Sequence, residues 1–198
     1  MSKAFSSCAN VAVGGPQAVG KTSALRALAQ LRPEFDMIFF GEQLPDDFQD
    51  HTRAEKEHIR ARAARRIASK LARRESVTVV DLHYIDLREP NPKIQQAEFL
   101  SCFDLMVFLN VSPEVLLERR TRDTIRKDRP MTLAHTRKDL GAHLKFFNEL
   151  VRDGMAAALI ESQGQPLDVA KELARHIDAG EPAAWASCAR NNGIVDAR

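Results

Sequence analysis

Gly15-Pro-Gln-Ala-Val-Gly20-Lys21-Thr22 is the stretch on which the reading of the fold turns. It satisfies the phosphate-binding pattern G-x-x-x-x-G-K-[ST] at every fixed position, and its setting fits as well. An apolar run near Ala9 to Val13 precedes it and reads as a strand. A helical pattern follows from about Lys21, with Leu25, Leu28 and Leu31 on one stripe and Pro33 beyond its end. Glycines at 15 and 20 let the backbone turn tightly, so that successive N–H groups converge on phosphate oxygens. The start of the helix adds partial positive charge. On this reading Gly15, Pro16, Gln17, Ala18, Val19 and Gly20, with Lys21, Thr22 and Ser23, form the nucleotide-binding segment for ATP. Lys21 reaches the β- and γ-phosphates, and the Thr22 hydroxyl is a ligand for Mg2+.

Downstream, strand and helix patterns alternate. Met37 to Phe40 is a short buried run, and Arg53 to Arg74 reads as a long amphipathic helix with Ile59, Ala63, Ile67 and Leu71 on its inner face. Val77 to Leu82 and Leu105 to Val111 are apolar runs suited to central parallel strands. Ser112-Pro113-Glu114 supplies an N-cap, a first-turn proline and an early acid. Further helices are expected through Leu116, Leu117 and Arg120 and near Thr136 to Arg152. Ala157 to Glu161 reads as a last strand, and Pro166 opens a closing helix. Such alternation predicts an α/β fold with a parallel sheet covered on both faces.

Three segments carry candidate chemistry beside the loop. Asp81 closes the Val77 to Asp81 run, at the strand end where ligands of open α/β sheets sit; it is placed to hold magnesium or to take a proton from a hydroxyl. His83, Asp86 and Arg88 follow in the same loop and are candidate acceptor-binding residues, together with Arg60. Glu118 to Arg129 holds five arginines in twelve residues. Arg119, Arg122 and Arg126 are spaced to share a helix face and to neutralise charge during phosphoryl transfer. A solvated basic face is the alternative for this segment. The Arg53 to Arg74 helix carries nine Lys or Arg against Glu55 and Glu57. Its charge fits an acceptor phosphate, a nucleic acid, or a solvated surface with extended side chains.

Composition narrows the classes. At 198 residues, 44% hydrophobic and 28% charged, the chain suits one globular core, and a net charge of +2 calls for neither nucleic acid nor membrane. No apolar run approaches the ~20 residues of a membrane span, and the N-terminus lacks the long apolar stretch of a secretory signal. Cys8, Cys102 and Cys188 form neither a disulfide framework nor a zinc motif, which points to a cytoplasmic setting.

The phosphate loop, Phe40-Gly41-Glu42, Ile67-Ala-Ser-Lys-Leu, Val79-Val-Asp-Leu-His83, Asp104-Leu-Met-Val-Phe-Leu and Leu116-Leu-Glu-Arg-Arg120 with Asp123 and Arg126 carry a resemblance. Over about residues 8 to 178 the chain resembles the archaeal-type adenylate kinases of the P-loop nucleoside monophosphate kinase group. The resemblance implies a three-layer sandwich, a five-stranded parallel sheet in the order 2-3-1-4-5, and transfer of the γ-phosphoryl of Mg·ATP to a nucleoside monophosphate. It further implies a kinase domain over 1–180 with acceptor-binding helices at about 42–74 and a short lid at about 119–135. The tail, 181–198, lies outside it. The loop at Ser162 to Gln165 would lie by the adenine. In the loop after Asp81, Arg88 is the nearest arginine to the place where common adenylate kinases hold the acceptor phosphate. Two other functions remain open from the residues: a kinase acting on a hydroxyl of a modified nucleoside, nucleic acid or metabolite, and an NTP-hydrolysing switch.

Overall fold

A computed structural model describes residues 9–85, 97–123 and 131–179. Asp86, Arg88, Arg126 and the tail therefore lie outside the described residues. Five strands form one sheet: β1 (Asn10–Gly14), β2 (Asp36–Phe39), β3 (Thr78–Asp81), β4 (Leu105–Asn110) and β5 (Ala157–Glu161), in the order β2-β3-β1-β4-β5. Every pairing is parallel. Among the described residues six α-helices accompany them: α1 (Lys21–Leu31), α2 (Arg53–Leu71), the single turn α3 (Ala97–Leu100), α4 (Pro113–Arg122), α5 (Leu133–Arg152) and, after the last strand, α6 (Pro166–Ala179). Sheet type and strand order agree with the sequence reading, with shifts of a residue or so at strand ends.

The strand side chains alternate between two cores, as a pleated sheet covered on both sides requires. Val11, Val13, Val79, Val107 and Ile160 face α1 and α6, where Leu25, Leu28, Val169 and Leu173 meet them. Ala12, Val80, Met106 and Phe108 face the opposite layer, against Ala63, Ile67 and Leu71 of α2 and Phe146 and Phe147 of α5. These are the three layers.

Helix starts follow local chemistry. Ser112 accepts from the Val115 N–H with Pro113 behind it, and Thr132 accepts from the His135 N–H. At α2 the Thr52 hydroxyl accepts from the Glu55 N–H while the Glu55 carboxylate accepts from the Thr52 N–H, a reciprocal cap that fixes where the basic helix begins. Two 3₁₀ turns, Phe40–Gln43 and Asp46–Asp50, lead from β2 into α2. Ile59, expected on the buried face of α2, is half-buried at its outer turn, whereas Ala63, Ile67 and Leu71 are in the core.

Candidate active site

Register brings the site together. Val13 pairs with Asp81, and Phe39 also pairs with Asp81, so the ends of β1, β2 and β3 open at one level. The loop after β1 leaves from the middle of the sheet, where strand order changes direction and crevices form. A cleft of about 950 Å³ lies over these ends. That volume suits a nucleotide-sized ligand.

The loop backbone is unusual along its length. Gly15 has φ +135 and Gly20 φ +105, and a Cβ at Gly15 would come within 2.6 Å of the Leu109 carbonyl oxygen. Both positions therefore need glycine. Ala18, at φ +70, occupies a left-handed conformation that costs an alanine about 1 kcal/mol. The loop carbonyls are held from behind. Lys21 Nζ donates to the Gly15 carbonyl at 2.9 Å and to the Pro16 carbonyl at 3.2 Å. Arg120 Nε and a terminal nitrogen each donate to the Gln17 carbonyl at 3.3 Å. The Val19 carbonyl accepts from Arg119 at 2.6 Å and from the Ser162 hydroxyl at 2.9 Å. With carbonyls at 15, 16, 17 and 19 engaged this way, the loop is set to present N–H groups to an anion at the start of α1.

Two flanks border the loop. On the β4/β5 side, Arg119 bridges from Val19 to the Ser162 carbonyl at 2.6 Å, so α4 is stitched to the loop after β5. Burial lowers the Arg119 guanidinium from the usual arginine value, with the Glu118 charge opposing. Ser162, Gln163, Gly164 and Gln165 line the cleft here. On the β2/β3 side the wall is formed by Phe39, Gly41, Glu42, Asp81 and His83. The Thr22 hydroxyl donates to the Asp81 carboxylate at 3.4 Å across the cleft floor. A hydroxyl and a carboxylate side by side are hard oxygen donors of the kind magnesium takes, and that ion usually keeps several waters and adds phosphate oxygens. The residues present therefore fit magnesium, to be held by Thr22 and Asp81.

Beneath the loop, Tyr84 is fully buried and stacked on Phe108 with ring centroids 4.6 Å apart. Its ring fills the place a Gly14 side chain would take: a Cβ there would meet it at 1.6 Å. Burial, reinforced by the Asp81 charge, pushes the Tyr84 phenol well above its ordinary range.

The structure thus gathers Gln17, Ala18, Gly20, Lys21, Thr22 and Ser23 with Asp81, His83 and Arg119 around one cleft, whereas Gly15, Pro16 and the buried Val19 do not line it. It does not bring Arg122 or Arg60 into the cleft wall. Arg122 points outward, 78% exposed, and pairs with Glu118 at 2.6 Å. Arg60 stacks over the Phe48 ring at 5.3 Å. Both sit where helix phase sends them, because residues on one helix face outward or inward according to a 100° step that the neighbours decide. The range expected as a lid starts with the last turn of α4 and ends in the first turn of α5. Several other charges of the basic helix are engaged nearby: Lys70 pairs with Asp36 at 2.6 Å, Arg66 donates to the Gln43 carbonyl and Lys56 to the Gln49 carbonyl.

Sequence reasoning missed Arg120. It is 3% exposed, bound to the Asp139 carboxylate and to Gln17. Burial raises the Asp139 carboxyl, but His143 and Arg120 outweigh it and hold the group below the usual aspartate value. Glu42, in the Phe40-Gly41-Glu42 stretch, also lines the cleft without being among the expected site residues.

No family model matches this sequence, and no curated protein matches it. Solved structures do share the fold. A shikimate kinase from Acinetobacter baumannii, in complex with shikimate, aligns with a TM-score of 0.55 at 24% identity, over 86% of this chain and 93% of that one. A gluconokinase from Sinorhizobium meliloti aligns with a TM-score of 0.55 at 17% identity, over 94% and 98%. A shikimate kinase from Bacteroides thetaiotaomicron gives 0.57 at 14%, over 85% and 97%. The chain has the fold of the P-loop kinases, and these neighbours are not of the adenylate kinase type.

Proposed function

We propose that this chain is an ATP-dependent kinase that transfers the γ-phosphoryl group to a small acceptor held against the β2/β3 flank. The observation that carries the reading is the loop from Gly15 to Thr22, with its carbonyls turned back onto Lys21, Arg119, Arg120 and Ser162 and its glycines at positive φ. A loop so arranged presents its main-chain donors to triphosphate oxygens before the nucleotide arrives, with Lys21 the side chain that has to swing, and such preorganisation is where phosphoryl transfer gains most.

Each residue then has a task. The loop's main-chain N–H groups supply donors, apart from Pro16, which has none, and Val19, whose N–H bonds the Pro16 carbonyl at 3.3 Å, and the Lys21 ammonium moves from loop carbonyls to phosphate oxygens. Arg119 and Ser162 to Gln165 border the space left for the nucleoside. Thr22 and Asp81 would hold magnesium, which when bound neutralises charge on the β- and γ-phosphates. In the transfer itself the acceptor oxygen attacks the γ-phosphorus and the bond to the β,γ-bridging oxygen breaks. For a hydroxyl acceptor, Asp81 or Asp86 would take the proton, Asp81 then acting as base in place of its magnesium role.

Two acceptor classes compete. The resemblance of motifs favours a nucleoside monophosphate, with Arg88 as the acceptor-phosphate contact and Arg126 of the lid neutralising charge during transfer. One observation favours a hydroxyl of an uncharged small metabolite over a phosphomonoester. Among the described residues lining the β2/β3 flank there are two carboxylates and an imidazole, and neither lysine nor arginine. An anionic acceptor approaching Glu42 and Asp81 would meet like charge. The deciding assay incubates the protein with Mg·ATP labelled at the γ-phosphate and a panel of monophosphates, nucleosides, sugar acids, shikimate and oligonucleotides. Label on a small hydroxyl compound supports the second class, and label on a monophosphate supports the first. Phosphate released only to water sinks the kinase reading in favour of a hydrolytic switch.

A further inference from the structure

We infer that Arg120, anchored by Asp139, is a positioning residue for the phosphate loop, fixing it from behind through the Gln17 carbonyl. Arg120 does not line the cleft. Its guanidinium is buried, at 3% exposure, and divides its donors between two acceptors. One terminal nitrogen bonds the Asp139 carboxylate, and the same nitrogen together with Nε converges on the Gln17 carbonyl at 3.3 Å each. A pair that served packing alone would be complete with Asp139. The fork onto the loop is additional, and it lands next to Ala18, the residue held at φ +70.

Asp139 is itself oriented. His143 Nδ1 lies 2.9 Å from the Asp139 carbonyl oxygen and 3.3 Å from its carboxylate, so two acceptors face that nitrogen and place the ring proton on it. His143 is 4% exposed. One turn on, Phe146 and Phe147 pack α5 against Phe108 of β4, with the Phe108 and Phe147 ring centroids 5.1 Å apart. The chain of contact therefore runs from the sheet through α5 and α4 to the loop. The Gln17 carbonyl points into this network and not toward a phosphate. Lysine cannot replace the arginine here, because one ammonium lacks the rigid Nε and terminal-nitrogen fork.

For its nucleotide readout the inference rests on the kinase reading; for its loop readout it does not. The experiment compares wild type, R120K and D139N with R32M as control. Arg32 caps the far end of α1 and pairs with Asp178 through two hydrogen bonds, away from the cleft. Amide hydrogen exchange over residues 14–23 is measured on free protein, followed by Mg·ATP titration and melting. R120K is expected to exchange about tenfold faster in the loop and to bind ATP about tenfold more weakly, with kcat at saturating ATP within about twofold of wild type. R32M is expected to lose melting temperature and leave the loop and ATP binding alone. Wild-type loop exchange in folded R120K overturns the inference, as does an equal change in R32M. Should R120K not fold, D139N, which keeps the shape of the side chain, is judged by the same two readouts. If wild type binds no Mg·ATP, the kinase reading fails while loop exchange still decides the role of Arg120.

Discussion

Where β4 and β5 meet the phosphate loop, the polar contacts run from side chains to main-chain carbonyls; where β2 and β3 meet it, the polar groups are ionisable side chains around open space. Arg119 and Ser162 take hold of Val19, and Arg119 also takes the Ser162 carbonyl, so on that flank the backbone itself is the object being held. Across the cleft, Glu42, Asp81 and His83 form a wall of groups that accept or carry protons. Contacts to backbone define a shape, whereas ionisable walls define a chemistry. The first flank should therefore govern nucleotide affinity and the second should govern turnover.

Substitutions on each flank test that division. The largest effect is expected from Asp81→Asn: turnover falls by about 10² to 10⁴-fold while the Mg·ATP dissociation constant changes by less than about threefold. Steady-state kinetics beside calorimetry separate the two. Lys21→Ala is expected to weaken ATP binding by on the order of 100-fold, since a charge-assisted donor to phosphate is removed. Retention of full affinity in this variant would break the comparison at its centre. Gly14→Ala acts on both flanks through the fold. The new methyl group has to displace the Tyr84 ring, and a loss of about 1–3 kcal/mol in chemical denaturation is expected. Ser162→Ala removes one of two holds on the Val19 carbonyl and should cost about 1 kcal/mol, seen as a several-fold rise in the KM for ATP at constant kcat. A fall in kcat at saturating ATP would show that this flank also serves the chemical step.

The smallest expected effect is one of pH. Asp139 is held below the ordinary aspartate value, so its contribution is fully present above about pH 4 and is lost as pH falls through the lower folded value. Acid unfolding of wild type should therefore steepen below about pH 4. Asp139→Asn, where it folds, should show a flatter acid limb, and an identical limb would remove this pair from the accounting.

Much of the fold was legible because local signals and global order agree. The Gly15 to Thr22 pattern sits between a strand and a helix, and Ser112-Pro113 and Pro166 mark helix starts where they are found. The α2 start was equally written, as Thr52-Arg-Ala-Glu55, but its capping pattern is read only when the two side chains are seen to reach back. The 3₁₀ turns after β2 and the single turn α3 are too short for periodicity to register. Arginines 119, 120 and 122 show the deeper limit. They stand within one turn of helix, yet one holds the cleft edge, one is buried behind the loop and one is in solvent. What separates them is a partner on α5. Asp139 is an ordinary acid in the sequence until the packing of α4 against α5 brings it to Arg120. Chain separation of that kind leaves no local trace.

Tyr84 is the one tyrosine of the chain, pressed against Gly14 at the root of the loop and stacked on Phe108. The molecule thus carries its own optical gauge. An asymmetric, fully enclosed phenol gives a near-ultraviolet dichroism band that responds to small shifts of its neighbours. Titrating nucleotide into a Trp185→Phe variant and following that band, with the nucleotide's own signal subtracted, would report whether the strand end beneath the loop moves at all when the cleft fills.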